Sequence, residues 1–218
     1  MKLGLKFMVL ITGVILVVLP LGIYSTVLEE NNITQNNTTL LNVPDVVQPN
    51  NYSGGPTALQ AVLAYYGTDI SVTELINMTN TTENGTTPDN IALAAQNSGF
   101  TAEVKENLTL QDLQNNINQG TPIIVLCQAG KDNTALNWTE DYENGQYLVV
   151  VGMDSQNVYF EDPTLLGSKG YIPLQEFLDR WHDLYINPQT GNNTTVNHLG
   201  IIITGGQPVS FAPFIKID

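Results

Sequence analysis

The sequence predicts an α+β domain in which short helices come first and a mostly antiparallel sheet follows. Two observations lead there. Between residues 55 and 120 apolar side chains recur at helical spacing in four short segments, most of them closed by glycine. From residue 122 onward the helical period gives way to apolar, β-branched runs, the mark of buried strands. A third observation sets the domain apart from what precedes it, an uncharged apolar run near the N-terminus.

That run, "FMVLITGVILVVLPLGIY", is 18 residues long and follows Lys2 and Lys6, close to the length that spans a bilayer. Residues 1–28 therefore read as a transmembrane or signal helix, either an uncleaved signal anchor or a removed signal peptide. "GIYSTVLEE" offers no A-x-A cleavage pattern, while Pro20 and the glycines keep the second option open. In both cases the lysines stay inside and the rest is exported: a single-pass protein of the cell membrane with its domain outside the cytoplasm, or a secreted one. Residues 29–42, "EENNITQNNTTLLN", are polar and aperiodic, a stalk.

The domain spans 43–205. Ala58, Val62, Leu63 and Tyr66 give the first helix, with Pro56 near its start and Gly67 near its end. "SVTELINM" carries a Ser–Glu capping spacing and gives a second. "TPDNIALAAQNSG" and "LTLQDLQNNINQG" give a third and fourth. "PIIVLC" is a buried strand. "QYLVVVGMD" and "NVYFEDP" are two more, joined by a turn from Asp154 to Asn157. "KGYIP" is a further strand, "LQEFLDRWHD" a helix and "HLGIIIT" the closing strand. Residues 206–218 form an irregular tail.

Charge narrows the function. The chain holds 21 acidic and 7 basic residues, two of the latter being the N-terminal lysines. So acidic a domain is no partner for nucleic acid or an anionic membrane surface. No phosphate-binding loop is present, so no nucleotide is expected. Two histidines and one cysteine without clustered ligands make a metal unexpected, and no cofactor motif occurs. A lone Cys127 excludes an intrachain disulfide. N-x-S/T triplets at Asn32, Asn36, Asn37, Asn51, Asn77, Asn80, Asn84, Asn107, Asn137, Asn192 and Asn193 are glycosylation acceptors where the host has that machinery.

The stretch "NNYSGGPTALQAVLAYYG" (50–67) leads into the first helix. A helix N-terminus offers free N–H groups and a partial positive charge, which lower the pKa of a thiol placed there. A histidine from a distant strand, oriented by a carboxylate, completes such a nucleophile. By themselves Gly54 and Gly55 are only a turn into a helix. However, "VVQPNNYSGGPTALQAVLAYYG", "NGTTPDNIALAAQNSGF", "GTPIIVLCQAG" and "GQYLVVVGMDSQNVYFEDPTLLGSKGYIPLQEFLDRWHD", in that order, resemble the bacteriocin-processing, papain-like cysteine peptidases of family 39.

The resemblance covers roughly residues 43–204. It implies a papain-like fold, with a helical half that carries the nucleophile and an antiparallel sheet half that carries the base. Position by position, Gln48 matches the oxyanion-hole glutamine and Asp162 the acid that orients the histidine. Gly54 stands where the nucleophilic cysteine is expected, and Gln146 where the histidine is expected. Ser53, Gly55 and Tyr147 border these positions and are the expected groove residues. Glycine has no nucleophile, and a carboxamide neither takes up nor releases a proton near neutral pH. Loss of nucleophile or base from a triad typically costs about 10⁶-fold in rate. Gln146 is expected to donate instead to Asp162.

Other reactive side chains read as structural. Cys127 lies within an apolar strand, where a thiol behaves as a small hydrophobe. His182, between Arg180 and Asp183, reads as a partner in a hydrogen bond or ion pair, and His198 as a cap or core residue. Ser53 and Thr57 have hydroxyls but no base. "KDNTALNWTEDYENG" (131–145) reads as a solvated, mobile loop bordering the groove, its spacing fitting no calcium loop. The leading expectation is therefore a membrane-anchored, non-catalytic relative of these peptidases that binds a peptide or protein. An active hydrolase with non-standard residues and a structural cell-surface protein are the alternatives.

Overall fold

The computed structural model describes residues 40–129, 137–187 and 190–210. The expected membrane segment 1–28, all of the stalk before Leu40 and the tail from residue 211 lie outside these. Among the described residues no helix is long and apolar enough to cross a membrane.

Helix α1 (Gly54–Tyr65) is buried on nearly every side, as its almost wholly apolar sequence requires. It packs against α2 (Val72–Met78) and α3 (Pro88–Asn97). Each of these two starts on the cap the sequence offers: Ser71 Oγ accepts from Glu74 N at 3.2 Å, and Thr87 Oγ1 from Asn90 N at 3.3 Å. A short strand, β1 (Thr101–Lys105), precedes α4 (Leu110–Asn118). In α4 the capping box is complete, with Asp112 N donating to Thr109 Oγ1 and Thr109 N donating back to Asp112 Oδ2. Gly99 and Gly120 follow α3 and α4 with φ of 92° and 78°, a conformation only glycine adopts freely.

The sheet is built from β2 (Ile123–Gln128), β3 (Gly145–Met153), β4 (Asn157–Glu161) and β5 (Gly170–Pro173), with β1 added at the far edge through β8 (Gly200–Thr204). Its order is β1-β8-β2-β3-β4-β5, and every pairing is antiparallel. β2 is buried at all its residues. α1 packs on β3, and α5 (Leu174–Arg180) packs through Phe177 and Trp181. The Phe177 and Trp181 rings stack at 4.8 Å, and the Trp181 indole donates to Leu199 O at 2.9 Å.

Three details differ from the sequence expectations. β1 was not expected, because "TAEVK" alternates polar and small residues at a sheet edge. The helix read through residue 183 stops at Arg180, and His182 opens β6 (His182–Ile186), which pairs with β7 (Asn193–Asn197) as a separate two-stranded ribbon. Finally, Leu41, assigned to the stalk, is buried in the core, and its N–H donates to Val151 O at 2.7 Å. That carbonyl is free because β3 bulges between Val150 and Gly152, so Val151 takes no partner in β4.

From its contact with Val151 the chain after Leu41 runs to the end of β4 and is clamped by Glu161, whose side chain is fully buried. Glu161 accepts from Val46 N at 3.0 Å and from Lys169, whose ammonium also donates to Val43 O. Burial outweighs the ammonium and holds the Glu161 carboxyl above the usual range. Two residues beyond Val46, Gln48 N donates to Pro163 O at 2.9 Å. Replacing Lys169 with Met leaves a buried carboxylate unpaired and is expected to destabilise the protein by roughly 3 kcal/mol at neutral pH. Because Glu161 favours its protonated form in the folded state, urea denaturation at falling pH should show that deficit shrinking.

Candidate functional site

The mouth of α1 opens on a cleft of about 270 Å³ between the helical half and the start of β3. Ser53 precedes the helix without capping it, and no acidic side chain occupies its first turn. The Ser53 hydroxyl is buried and donates to Asn50 O, and the buried Thr57 hydroxyl donates to Ser53 O at 2.8 Å. Both hydroxyls are thus spent on the local backbone.

Gly54, Gln48 and Gln146 come together at this mouth. A Cβ on Gly54 would stand 2.8 Å from Gln146 Oε1 and 3.0 Å from Gln48 Oε1. The two carboxamides are themselves joined, Gln146 Nε2 donating to Gln48 Oε1 at 3.0 Å. The space that a side chain at 54 would need is therefore taken by an amide pair. Gly55 has a different reason: a Cβ there would meet Ile91 Cδ1 at 2.8 Å and Tyr147 Cδ2 at 3.2 Å. Tyr147, buried, donates its hydroxyl to Thr86 O at 2.8 Å and ties β3 to the loop before α3 across the cleft floor.

Asp162 does not join this group through Gln146, contrary to the sequence expectation. Its Oδ1 accepts from Thr164 N and Thr164 Oγ1, both at 2.8 Å, capping the turn after β4. It lines a separate cavity with Leu148, Tyr171 and Arg180. An aspartate followed by proline and threonine satisfies its own turn first, and Gln146 donates to Gln48 instead.

The remaining reactive groups are held in the framework. Cys127 pairs with Gln146 across β2 and β3, is fully buried, and burial pushes its thiol far up. His182 Nε2 donates to Trp138 O at 2.9 Å, and its ring lies against Tyr142. His198 stacks on Trp181 at 4.7 Å, with Nδ1 against Leu108 O. Among the described residues no three His, Cys, Asp or Glu side chains are grouped to hold a metal. Of the loop 131–145, residues 131–136 lie outside the described part. From Asn137 onward it is largely exposed, as expected, with Trp138 lying 3.6 Å under the Arg180 guanidinium and Asp141 accepting from Glu143 N.

One cleft residue escaped the sequence reading. Asp183, taken there as a structural neighbour of His182, lines the cleft beside Gly145 and Gln146. It is 5% exposed, accepts from Gln128 Nε2 at 2.9 Å, and burial raises its carboxyl to about 6. A Cβ on Gly145 would fall 1.8 Å from Asp183 Oδ2. The signal available in the sequence was Gly145 itself, since glycine at a strand start often marks a close approach.

A family model described as Peptidase_C39 like family matches residues 40–187. The chain belongs to this family. A protein of Methanothermobacter thermautotrophicus is 32% identical over 120 residues, covering 55% of this chain and 71% of that protein. Among solved structures, this C39-like chain is similar to the peptidase domain of Streptococcus ComA, a bi-functional ABC transporter involved in quorum sensing. That match has a TM-score of 0.53 and 23% identity, over 72% of this chain and 95% of the other. A C39-like peptidase of Bacillus anthracis gives a TM-score of 0.57 at 16% identity, over 78% and 99%. At such identities the likeness speaks for the fold, and the C39-like fold is the mixed one expected, helices set against an antiparallel sheet.

Two outcomes are expected of the C39-like cleft. Gly145→Ala should destabilise the protein by about 1–3 kcal/mol through overpacking, and Asp183→Ala should recover much of that in a double-mutant cycle by calorimetry. Asp183 has a raised pKa in the folded state, so it favours folding below about pH 4 and progressively less as pH rises through 6. The stability difference between wild type and Asp183→Asn should therefore change by roughly 2–3 kcal/mol between pH 4 and pH 7, the wild type losing ground as pH rises.

Proposed function

We propose that this protein is a non-catalytic, peptidase-like domain that binds an extended peptide in the former active-site cleft of the C39 fold. The observation that carries this reading is the amide pair at the helix mouth. Where the reaction needs a nucleophile there is Gly54, and where it needs a base there is Gln146, hydrogen-bonded to Gln48. The Ser53 and Thr57 hydroxyls and the one thiol are buried, and both hydroxyls are committed to backbone acceptors. Hydrogen-bond donors, an open cleft and buried scaffold residues remain, and these suffice for binding without acyl transfer.

A peptide as ligand is supported by analogy. A similar structure, a double glycine motif protease from an AMS/PCAT transporter, was solved in complex with the leader peptide, with a TM-score of 0.53 and 20% identity over 75% of this chain and 92% of that one. The apolar run at residues 7–24 supports placement of the domain at the outer face of a membrane, on a single anchor.

The test is a peptidase assay on synthetic peptides containing a Gly-Gly pair, run on the full chain and on Gly54→Cys/Gln146→His. The double variant removes the Gln146 carboxamide that a side chain at 54 would meet. Wild type is expected to show no turnover above background, and the variant thiol-dependent cleavage. Robust hydrolysis by the unmodified chain would sink the proposal.

A further inference from the structure

We infer that the cleft selects a peptide-borne cation, an N-terminal ammonium or a lysine or arginine side chain, and that the carboxylate of Asp183 receives it. This rests on the peptide-binding reading above and names the chemistry of the ligand.

The cleft is acidic on its walls and has no counter-charge. Asp183 and Glu83 line it, and none of its described lining residues is lysine, arginine or histidine. Asp183 is largely buried but borders the cleft, and the ion pairs among the described residues go to Glu103, Glu161 and Glu176 instead. The hydrogen-bond partners of Asp183 are the Gln128 carboxamide and the Leu184 backbone N–H, both uncharged, and the neighbouring His182 adds a smaller attraction opposed by Asp141. A carboxylate withdrawn from water and hydrogen-bonded to neutral donors retains a strong attraction for a cation.

The group is also held in place before any ligand arrives. Gln128, itself fully buried, donates through Nε2 to both Asp183 Oδ1 and His182 O, while its Oε1 accepts from Asn144 N at 2.9 Å. One side chain thus fixes β6 against the start of β3. Gly145, with no Cβ, lets the carboxylate reach the cleft wall next to Gln146. A ligand cation then meets an acceptor whose ordering has already been met by the fold, the condition under which a single charged contact discriminates best.

The experiment measures fluorescence anisotropy of the full chain with three decapeptides that contain Gly-Gly and carry a C-terminal dye. The first has a lysine beside the glycine pair and an acetylated N-terminus. The second has norleucine in place of that lysine, also acetylated. The third has norleucine and a free N-terminus. At least one cationic peptide is expected to bind about tenfold more tightly than the neutral one, and which one does so identifies the source of the cation. Asp183→Asn should reduce that preference to less than about threefold, and Glu83→Gln, at the exposed rim where folding is not at stake, should reduce it by a smaller factor. Equal affinity for all three peptides, or a full preference retained by Asp183→Asn, overturns the cation subsite while leaving peptide binding in place. Binding of none of them overturns both.

Discussion

Strand β3 is paired on both sides, with β2 along its first six residues and with β4 from Val149 to Met153 across the Val150–Gly152 bulge, and the cleft takes its geometry from that double pairing. The register places Gln146 at the mouth of α1, Tyr147 on the opposite face and Gly145 under β6. A slip of one residue would exchange the faces of all three. Such a slip is resisted by the burial of Leu148 to Val151, by the Tyr147 bond to Thr86 and by the bulge itself, whose spare carbonyl anchors Leu41.

The chain before α1 is the second support. It has no regular structure, and its position depends on polar contacts to the end of β4: Val46 to Glu161, and Gln48 to Pro163. Glu161 is an unusual choice for so buried a site, because a carboxylate there is costly even with Lys169 beside it. Its geometry explains the choice. Two oxygens capture an ammonium and a backbone N–H at once, and so bring the Gln48 side chain to Gln146.

Much of this was legible in the sequence where local chemistry and tertiary structure agree. Thr109 with Asp112 made the capping box its spacing announces, the apolar run at β2 is a fully buried strand, and the Asp154–Asn157 turn joins β3 to β4. The family resemblance placed Gly54 and Gln146 at corresponding positions, which composition alone could not do. What stayed hidden was decided by distant partners. "TAEVK" and "NTTVN" become strands only because β8 and β6 stand beside them. Asp162 could be matched to a role but not to the donors it binds, and its own turn claims it. Asp183 looked like part of a helix end, since nothing nearby in sequence records that Gln128 and Gly145 receive it.

The contact between Gly145 and Asp183 bears on how this cleft can change over generations. With a carboxylate where the Cβ of residue 145 would be, a larger residue there is costly until position 183 has first become shorter. The reverse order passes through an overpacked intermediate. The two positions, far apart in the chain, therefore form one heritable unit with a preferred sequence of steps, and a lineage that keeps the acid is committed to the glycine.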